Sequence, residues 1–366
     1  MPPLLDGDHV AARRARARRV LRGRPRRPYL LRTGVQLFTL AVILVIGAQF
    51  AHWVANLEAG RIAGVRPPGV EGFLPISALL SLRQWLAGGG FSMVHPAGLV
   101  LFGLICLTAL LLKKSFCAWL CPVGTLSEAL ARVSHLVFRR RLKLPRWLDL
   151  GLMSLKYVLL AYFLFAVFVQ MTLASVALFI DSPYNRIADV KMLHFFTRMS
   201  PVTFRVLGAL VLLSFVVPYF WCRYLCPYGA LLGALSRFSP LKVVRSAPDC
   251  TNCGKCAAVC PSYLAVDLGA TVTSPECTGC LECVTSCPAP GALEVRGPAP
   301  WRRRVRPAVF AAAVLLVFFG GIGAAKLAGR WRTGITDQEY LRRVQEMDAP
   351  KYHHARGQVP AYGPED

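Results

Sequence analysis

Eight of the thirteen cysteines fall between residues 250 and 288, in two runs that are almost identical. The first reads Cys250-Thr-Asn-Cys253-Gly-Lys-Cys256-Ala-Ala-Val-Cys260-Pro261, the second Cys277-Thr-Gly-Cys280-Leu-Glu-Cys283-Val-Thr-Ser-Cys287-Pro288. This C-x2-C-x2-C-x3-C-P spacing binds [4Fe–4S] clusters, and its doubling implies two of them. Three thiolates at three-residue intervals on a tight turn reach three irons of one cube. The fourth, fixed by the proline after it, points away and ligates the other cube. The expected ligand sets are therefore Cys250, Cys253, Cys256 and Cys287 for one cluster, and Cys277, Cys280, Cys283 and Cys260 for the second. A zinc ribbon or a disulfide scaffold would leave the third cysteine of each triplet and the C-P cysteines unemployed.

Four further cysteines repeat the closing phrase of those runs. Phe116-Cys117-Ala-Trp-Leu-Cys121-Pro122-Val-Gly124 returns 105 residues later as Trp221-Cys222-Arg-Tyr-Leu-Cys226-Pro227-Tyr-Gly229. In a helix, cysteines at i and i+4 share a face, and the proline then ends the helix. Three readings stay open. Cys117, Cys121, Cys222 and Cys226 could form one four-thiolate site for iron–sulfur or another metal. They could be redox-active dithiols, their pKa values lowered beside Lys113, Lys114 and Arg223. Or they are small residues at a helix contact, a reading that leaves the repeated Pro and Gly unexplained.

The elements that must carry these motifs are mostly membrane helices. Hydrophobic residues make up 55% of the chain and the net charge is +24. About five apolar segments are expected to span a bilayer: 35–55, 96–112, one within 152–180, 206–220 and 308–327. Residues 73–86 are apolar but broken by Pro75 and Arg83, which suits an interfacial or re-entrant segment. Each C-x3-C-P motif follows a pair of spans, so the membrane part reads as a duplicated helical hairpin. The expected division is a basic tail over 1–32, a four-span domain over 33–240, a ferredoxin-like α+β domain over 241–300, a fifth span over 301–327 and a tail over 328–366.

Charge sets the expected orientation. Ten Lys or Arg fall in residues 1–32, eight in 113–150 and ten in 221–306, against seven in the opposite loops. That places the N-terminus and the cluster domain in the cytoplasm of a bacterial inner membrane and the C-terminus outside. Twelve cysteines in metal-type spacings also favour a reducing compartment over disulfides. The positive charge falls between apolar spans and reads as topogenic and lipid-facing, not as a nucleic-acid surface.

Other features read as structural. Cys106 lies about 16 Å along the helix from Cys117 and reads as packing. His52, His95 and His194 could hold a haem or a quinone headgroup, but satisfied interfacial histidines explain them more simply. Residues 267–273, Asp-Leu-Gly-Ala-Thr-Val-Thr, look like a flavin-acceptor sequence without a flavin domain around it. Thr336 and Glu339 form a capping box ahead of a short helix with Tyr340, Leu341 and Val344. That stripe either docks an extracytoplasmic partner or packs on the chain's own loops. His353 and His354 read as solvated.

Residues 250–288 resemble a bacterial two-cluster ferredoxin. Together with the two membrane C-x3-C-P motifs, they resemble the NapH, NosR and CcoG group of polytopic iron–sulfur proteins over residues 33–327. The resemblance implies single-electron transfer between membrane quinol or a cytoplasmic donor and a partner reductase system. A second function in the same group is reduction of copper, or assembly of a respiratory oxidase. By length the chain matches no subtype closely: it adds a span and a tail to the NapH pattern.

Overall fold

The structure, a computed structural model, describes residues 30–139, 144–298, 303–353 and 362–363. All but the last few residues of the basic tail lie outside that range, as does His354. Helices dominate. Among the described residues three are long and apolar enough to cross a membrane: Leu30–Glu58 (α1), Arg146–Gln170 and Pro307–Leu327. The second is an α-helix over Arg146–Phe165 (α6) that ends in a π-turn, Ala166–Gln170. The third joins Pro307–Leu315 (α14) and Gly321–Leu327 (α15) through a π-turn at Leu316–Gly320. Between α1 and α6 lie α2 (Pro75–Leu86), the shorter apolar helix α3 (Pro96–Leu112), α4 (Ser115–Trp119) and α5 (Pro122–Phe138). After α6 come α7 (Leu173–Asp181), α8 (Pro183–Arg186), α9 (Ala188–Thr197), α10 (Pro201–Val216) and α11 (Pro227–Ser236).

Two expected spans take different forms. The segment expected within 152–180 stops at Gln170, and Thr172 caps a separate helix, its Oγ1 accepting from the Ser175 N–H. The fourth span becomes a pair, α9 and α10, bent by 74° where Ser200 caps α10 ahead of Pro201. Proline at a helix start is compatible with the fold but cannot continue the helix before it, so the chain turns there.

The chain divides into two compact units that cut across several helices. One unit comprises residues 1–40, 106–126 and 228–317. It contains a four-stranded antiparallel sheet in the order β2-β1-β3-β4, built from Lys242–Arg245 (β1), Thr271–Val272 (β2), Leu293–Arg296 (β3) and Arg304–Val305 (β4). Two residues of the flavin-like segment form β2, Val272 opposite Val243 and Thr271 opposite Val244. Two short helices, α12 (Lys255–Val259) and α13 (Glu282–Thr285), carry the cysteine runs.

The other unit comprises residues 41–105, 127–227 and 318–366. Its core joins Phe50, Trp53 and Leu57 of α1 to Ile180, Ile187 and Val190, and to Tyr340, Val344 and Tyr352 of the tail. The stripe of α16 (Asp337–Gln345) is therefore occupied by its own unit: Tyr340 is fully buried and meets Trp53 edge-on at 5.1 Å. This overturns the docking reading of the tail. Thr336 does cap the helix, accepting from the Glu339 N–H at 3.2 Å.

A buried charged knot fixes the loops beside that core. Arg66 Nε donates to Asp189 at 2.8 Å, and Arg66 Nη1 donates to Glu71 at 2.9 Å. Glu71 in turn accepts the Gly98 N–H at 2.9 Å, closing the first turn of α3. Removing Arg66 would leave two buried carboxylates without compensation. His95, 1% exposed, bonds the Asn185 carbonyl at 2.6 Å, and His194 pairs with Glu58 at 3.0 Å. His52 sits exposed beside Asn56. Each of the three histidines thus has a polar neighbour within the chain.

Candidate metal centres

The two cysteine runs fold alike because the same positions take the left-handed backbone. In the first, Asn252 (φ 53°) and Gly254 (φ 70°) flank Cys253; in the second, Gly279 (φ 60°) and Leu281 (φ 60°) flank Cys280. A residue such as Leu281 adopts that conformation only where the surroundings enforce it. Alternating handedness turns successive N–H groups to one side and makes a concavity for an anionic group, a pattern found at iron–sulfur sites.

The thiols gather in the crossed pattern. A small cavity is lined by Cys260, Cys277, Cys280 and Cys283, and otherwise mainly by apolar residues such as Val243, Leu264 and Val266. Cys260 comes from the first run and the other three from the second. Conversely, Cys287 lies within electrostatic reach of Cys250 and Cys253, and Cys256 within reach of the same two. Among the described residues no three His, Cys, Asp or Glu side chains converge as on a single ion. A cube takes one thiolate per iron, so its ligands need not converge.

The two sets differ in surroundings. Cys260, Cys277, Cys280 and Cys283 are each at most 9% exposed, whereas Cys250, Cys253, Cys256 and Cys287 are half-buried. Burial pushes the Cys256 and Cys280 thiols up to about 12 and raises Cys283 and Cys287 as well. Such thiols become thiolates only when iron takes the proton's place.

The second set rests on residues that spacing alone did not single out. Trp119, fully buried, donates its indole N–H to the Gly279 carbonyl at 3.0 Å and lies 6.0 Å from the Phe310 ring. A side chain on Gly279 would stand 3.3 Å from both Lys113 and Phe310, so close approach as well as φ calls for glycine here. Lys113, itself left-handed at φ 62°, ends α3; its N–H donates to Ser239 Oγ and its ammonium donates to the Val272 carbonyl at 3.1 Å. Burial pulls that ammonium down to about 8, with the Cys277 thiol opposing, so at neutral pH it keeps its charge. Arg32, assigned by sequence to the basic tail, is instead in α1, 3% exposed and paired with Glu282 at 2.6 Å.

Cys117 lies in the five-residue helix α4 and Cys222 in a π-turn, Trp221–Leu225, and Cys121 and Cys226 fall just after them. In each copy the second cysteine's N–H reaches back five residues to the aromatic before the first: Cys121 to Phe116 at 2.9 Å, Cys226 to Trp221 at 3.0 Å. The expected i, i+4 helical face is thus replaced by a wider π-type turn, preceded by a left-handed residue, Lys113 or Tyr219. Gly124 is required because any side chain there would overlap the Cys117 carbonyl. Cys222 contacts Ser127 Oγ at 3.4 Å, while Arg223 and Tyr224 both bond Asp149, at 2.7 Å and 2.6 Å. Cys106 is partly buried in α3.

Membrane-capable helices, a small antiparallel sheet and two crossed thiol sets define a polytopic membrane protein with a ferredoxin-type domain. Comparison with known proteins agrees. Residues 242–288 match the 4Fe-4S dicluster domain family, and residues 94–145 and 200–245 match a 4Fe-4S binding domain family. The chain is 40% identical over 329 residues to YccM of Escherichia coli (strain K12), whose name assigns it provisionally to electron transport; the match covers 88% of this chain and 91% of YccM. It is 28% identical to the methylamine utilization ferredoxin-type protein MauN of Paracoccus denitrificans (strain Pd 1222), over 64% of this chain and 75% of MauN. It is 26% identical to the ferredoxin-type protein NapH of Escherichia coli (strain K12), over 65% of this chain and 76% of NapH. No solved structure matches.

The chain belongs to the NapH-type family of polytopic ferredoxin-type membrane proteins. It carries two [4Fe–4S] clusters and has an iron–sulfur electron-transfer role at a membrane.

Proposed function

We propose that the protein relays single electrons between either the membrane quinol pool or a cytoplasmic donor and a partner reductase system. The observation that carries this reading is the cavity lined by Cys260, Cys277, Cys280 and Cys283, in which one run lends its last cysteine to the other. When bound, the two cubes supply reversible one-electron exchange without proton or group transfer. Cys250, Cys253, Cys256 and Cys287 hold one, and Cys277, Cys280, Cys283 and Cys260 the other. The surrounding chain contributes the left-handed backbone, the apolar wall and the neighbouring cations, which together set affinity and potential.

The basic bias of the loops supports a cytoplasmic N-terminus and ferredoxin domain and an extracytoplasmic C-terminus. Cys117, Cys121, Cys222 and Cys226 extend the redox function to the lipid boundary as further iron or metal ligands. A 4Fe-4S family description falling on both of their segments supports this. Anaerobic purification with iron counting and EPR tests the reading: eight irons per chain match the dicluster alone, and twelve add a third cube. Colourless, iron-free material after anaerobic reconstitution would overturn it.

A further inference from the structure

The two thiol sets are not equivalent with respect to the membrane helices that share their unit. Lys113 and Trp119 flank the first membrane cysteine, Cys117, and both reach the loop Cys277-Thr-Gly279-Cys280 or the strand beside it. Arg32 comes from the start of α1 and pairs with Glu282, between Cys280 and Cys283; its charge is felt at the Cys280 thiol. Lys114 faces Glu276, next to Cys277, at 3.8 Å. The first set has a cation too, but from the ferredoxin sheet: Arg245 of β1 donates its Nε–H to Cys250 Sγ at 3.2 Å. Asp267 lies near Cys256. So Arg32, Lys113 and Lys114, carried by membrane helices or their ends, stand around the second set alongside Lys242 of β1, whereas the first set has only cations of the ferredoxin fold itself among those named here, Arg245 of β1 and Lys255 of α12.

Resting on the relay reading above, we propose that the second thiol set, Cys260, Cys277, Cys280 and Cys283, is the membrane-side end of the relay. In this arrangement Trp119 is the positioning residue joining it to the Cys117–Cys121 turn, and Lys113 and Arg32 raise its potential. A cation held close to a cluster favours the state with one more electron, by ordinary Coulomb attraction that low dielectric strengthens. A route from the membrane motif then runs from Cys117 through Trp119 and its hydrogen bond to Gly279 and Cys280. One electron leaves the donor and one reduces the receiving centre; no bond is made and no proton moves. The half-buried first set is left to exchange electrons with a partner approaching from solvent.

The test is an EPR-monitored redox titration of the anaerobically reconstituted full-length chain at pH 7. Lys113→Met and Arg32→Gln are expected to lower the midpoint of the same one of the two cluster signals. At fixed potential its reduced-to-oxidised ratio should fall about tenfold, 59 mV for a one-electron couple. Arg245→Met is expected to lower the other signal, and Lys113→Arg to move neither. Lys113→Met and Arg245→Met shifting the same signal overturns the inference, as does Lys113→Met shifting neither while both signals persist. If Lys113→Met does not hold iron, Arg32→Gln against Arg245→Met decides by the same outcomes. Wild-type protein without either signal would instead remove the relay reading itself.

Discussion

The two C-x3-C-P turns share a backbone and differ in what holds them. Each wraps the second cysteine's N–H back onto an aromatic carbonyl five residues earlier. Each places a fully buried aromatic donor two residues after its first cysteine, Trp119 in one and Tyr224 in the other. There the likeness ends. Trp119 gives its N–H to the ferredoxin loop at Gly279. Tyr224 gives its O–H to Asp149 of α6, which also takes both arms of Arg223. Duplication has preserved the turn and diverged the acceptor: one copy is coupled to a cluster loop, the other is locked into the helical scaffold.

The difference can be broken first at Asp149. Its carboxylate faces Arg223, only 9% exposed, so Asp149→Ala strands a buried guanidinium and a phenol together. The expected cost is about 3 kcal/mol, read as a fall in apparent Tm in detergent. The EPR signals of both cubes should survive, since Asp149 belongs to the other unit. Loss of the cluster signals alongside stability would show that the two turns are not separately anchored. Gly124→Ala comes next. Its methyl would collide with the Cys117 carbonyl, and shifting backbone costs about 2 kcal/mol in overpacking. It should disturb Cys117 reactivity toward a thiol label more than that of Cys222.

How much of this could be read from the residues follows from what spacing encodes. The grouping of Cys260 with Cys277, Cys280 and Cys283 around one cavity is what a C-x2-C-x2-C-x3-C-P run leads one to expect. The membrane helices and the Thr336 cap were legible from hydropathy and from a local side-chain bond. What failed to show was everything made across the sequence. Arg32 lies 250 residues from Glu282, and Trp119 lies 160 from Gly279. The tail's stripe looked open because nothing local says that Trp53 and Ile187 complete its core. The bend before α10 was a matter of a cap and a proline inside a long apolar stretch. One signal was available and unused: the repeated aromatic at the position of Trp119 and Tyr224 marked the residue that chooses each turn's partner.

A paired substitution at that position sharpens the contrast further. Trp119→Phe keeps the ring and deletes the donor, leaving the Gly279 carbonyl short of a partner at a cost of about 1.5 kcal/mol. It should speed loss of iron from the second thiol set under a chelator. Tyr224→Phe costs about 1 kcal/mol by the same reasoning and should leave iron retention unchanged. Equal chelator sensitivity in both variants would erase the distinction between the turns.

The smallest expected effect is a pH dependence confined to the tail, far from either turn. Burial works against ionisation of Glu339, but hydrogen bonds from Arg343 and Arg186 outweigh it and hold the carboxyl below its usual range. A carboxylate with a depressed folded pKa stabilises fully above its unfolded value of about 4.3. That contribution fades as pH falls through the lower folded value. Part of the docking of α16 should therefore be lost on acidification below about pH 4.3 and be retained at neutral pH. Limited proteolysis of the tail at pH 3.5 and pH 7 reads this directly. Glu339→Gln should be partly cleaved already at pH 7, with a smaller further increase on acidification. If the wild-type tail is cut equally at both pH values, the Arg186–Glu339–Arg343 bridge does not hold it, and the buried Tyr340 and Tyr352 alone must.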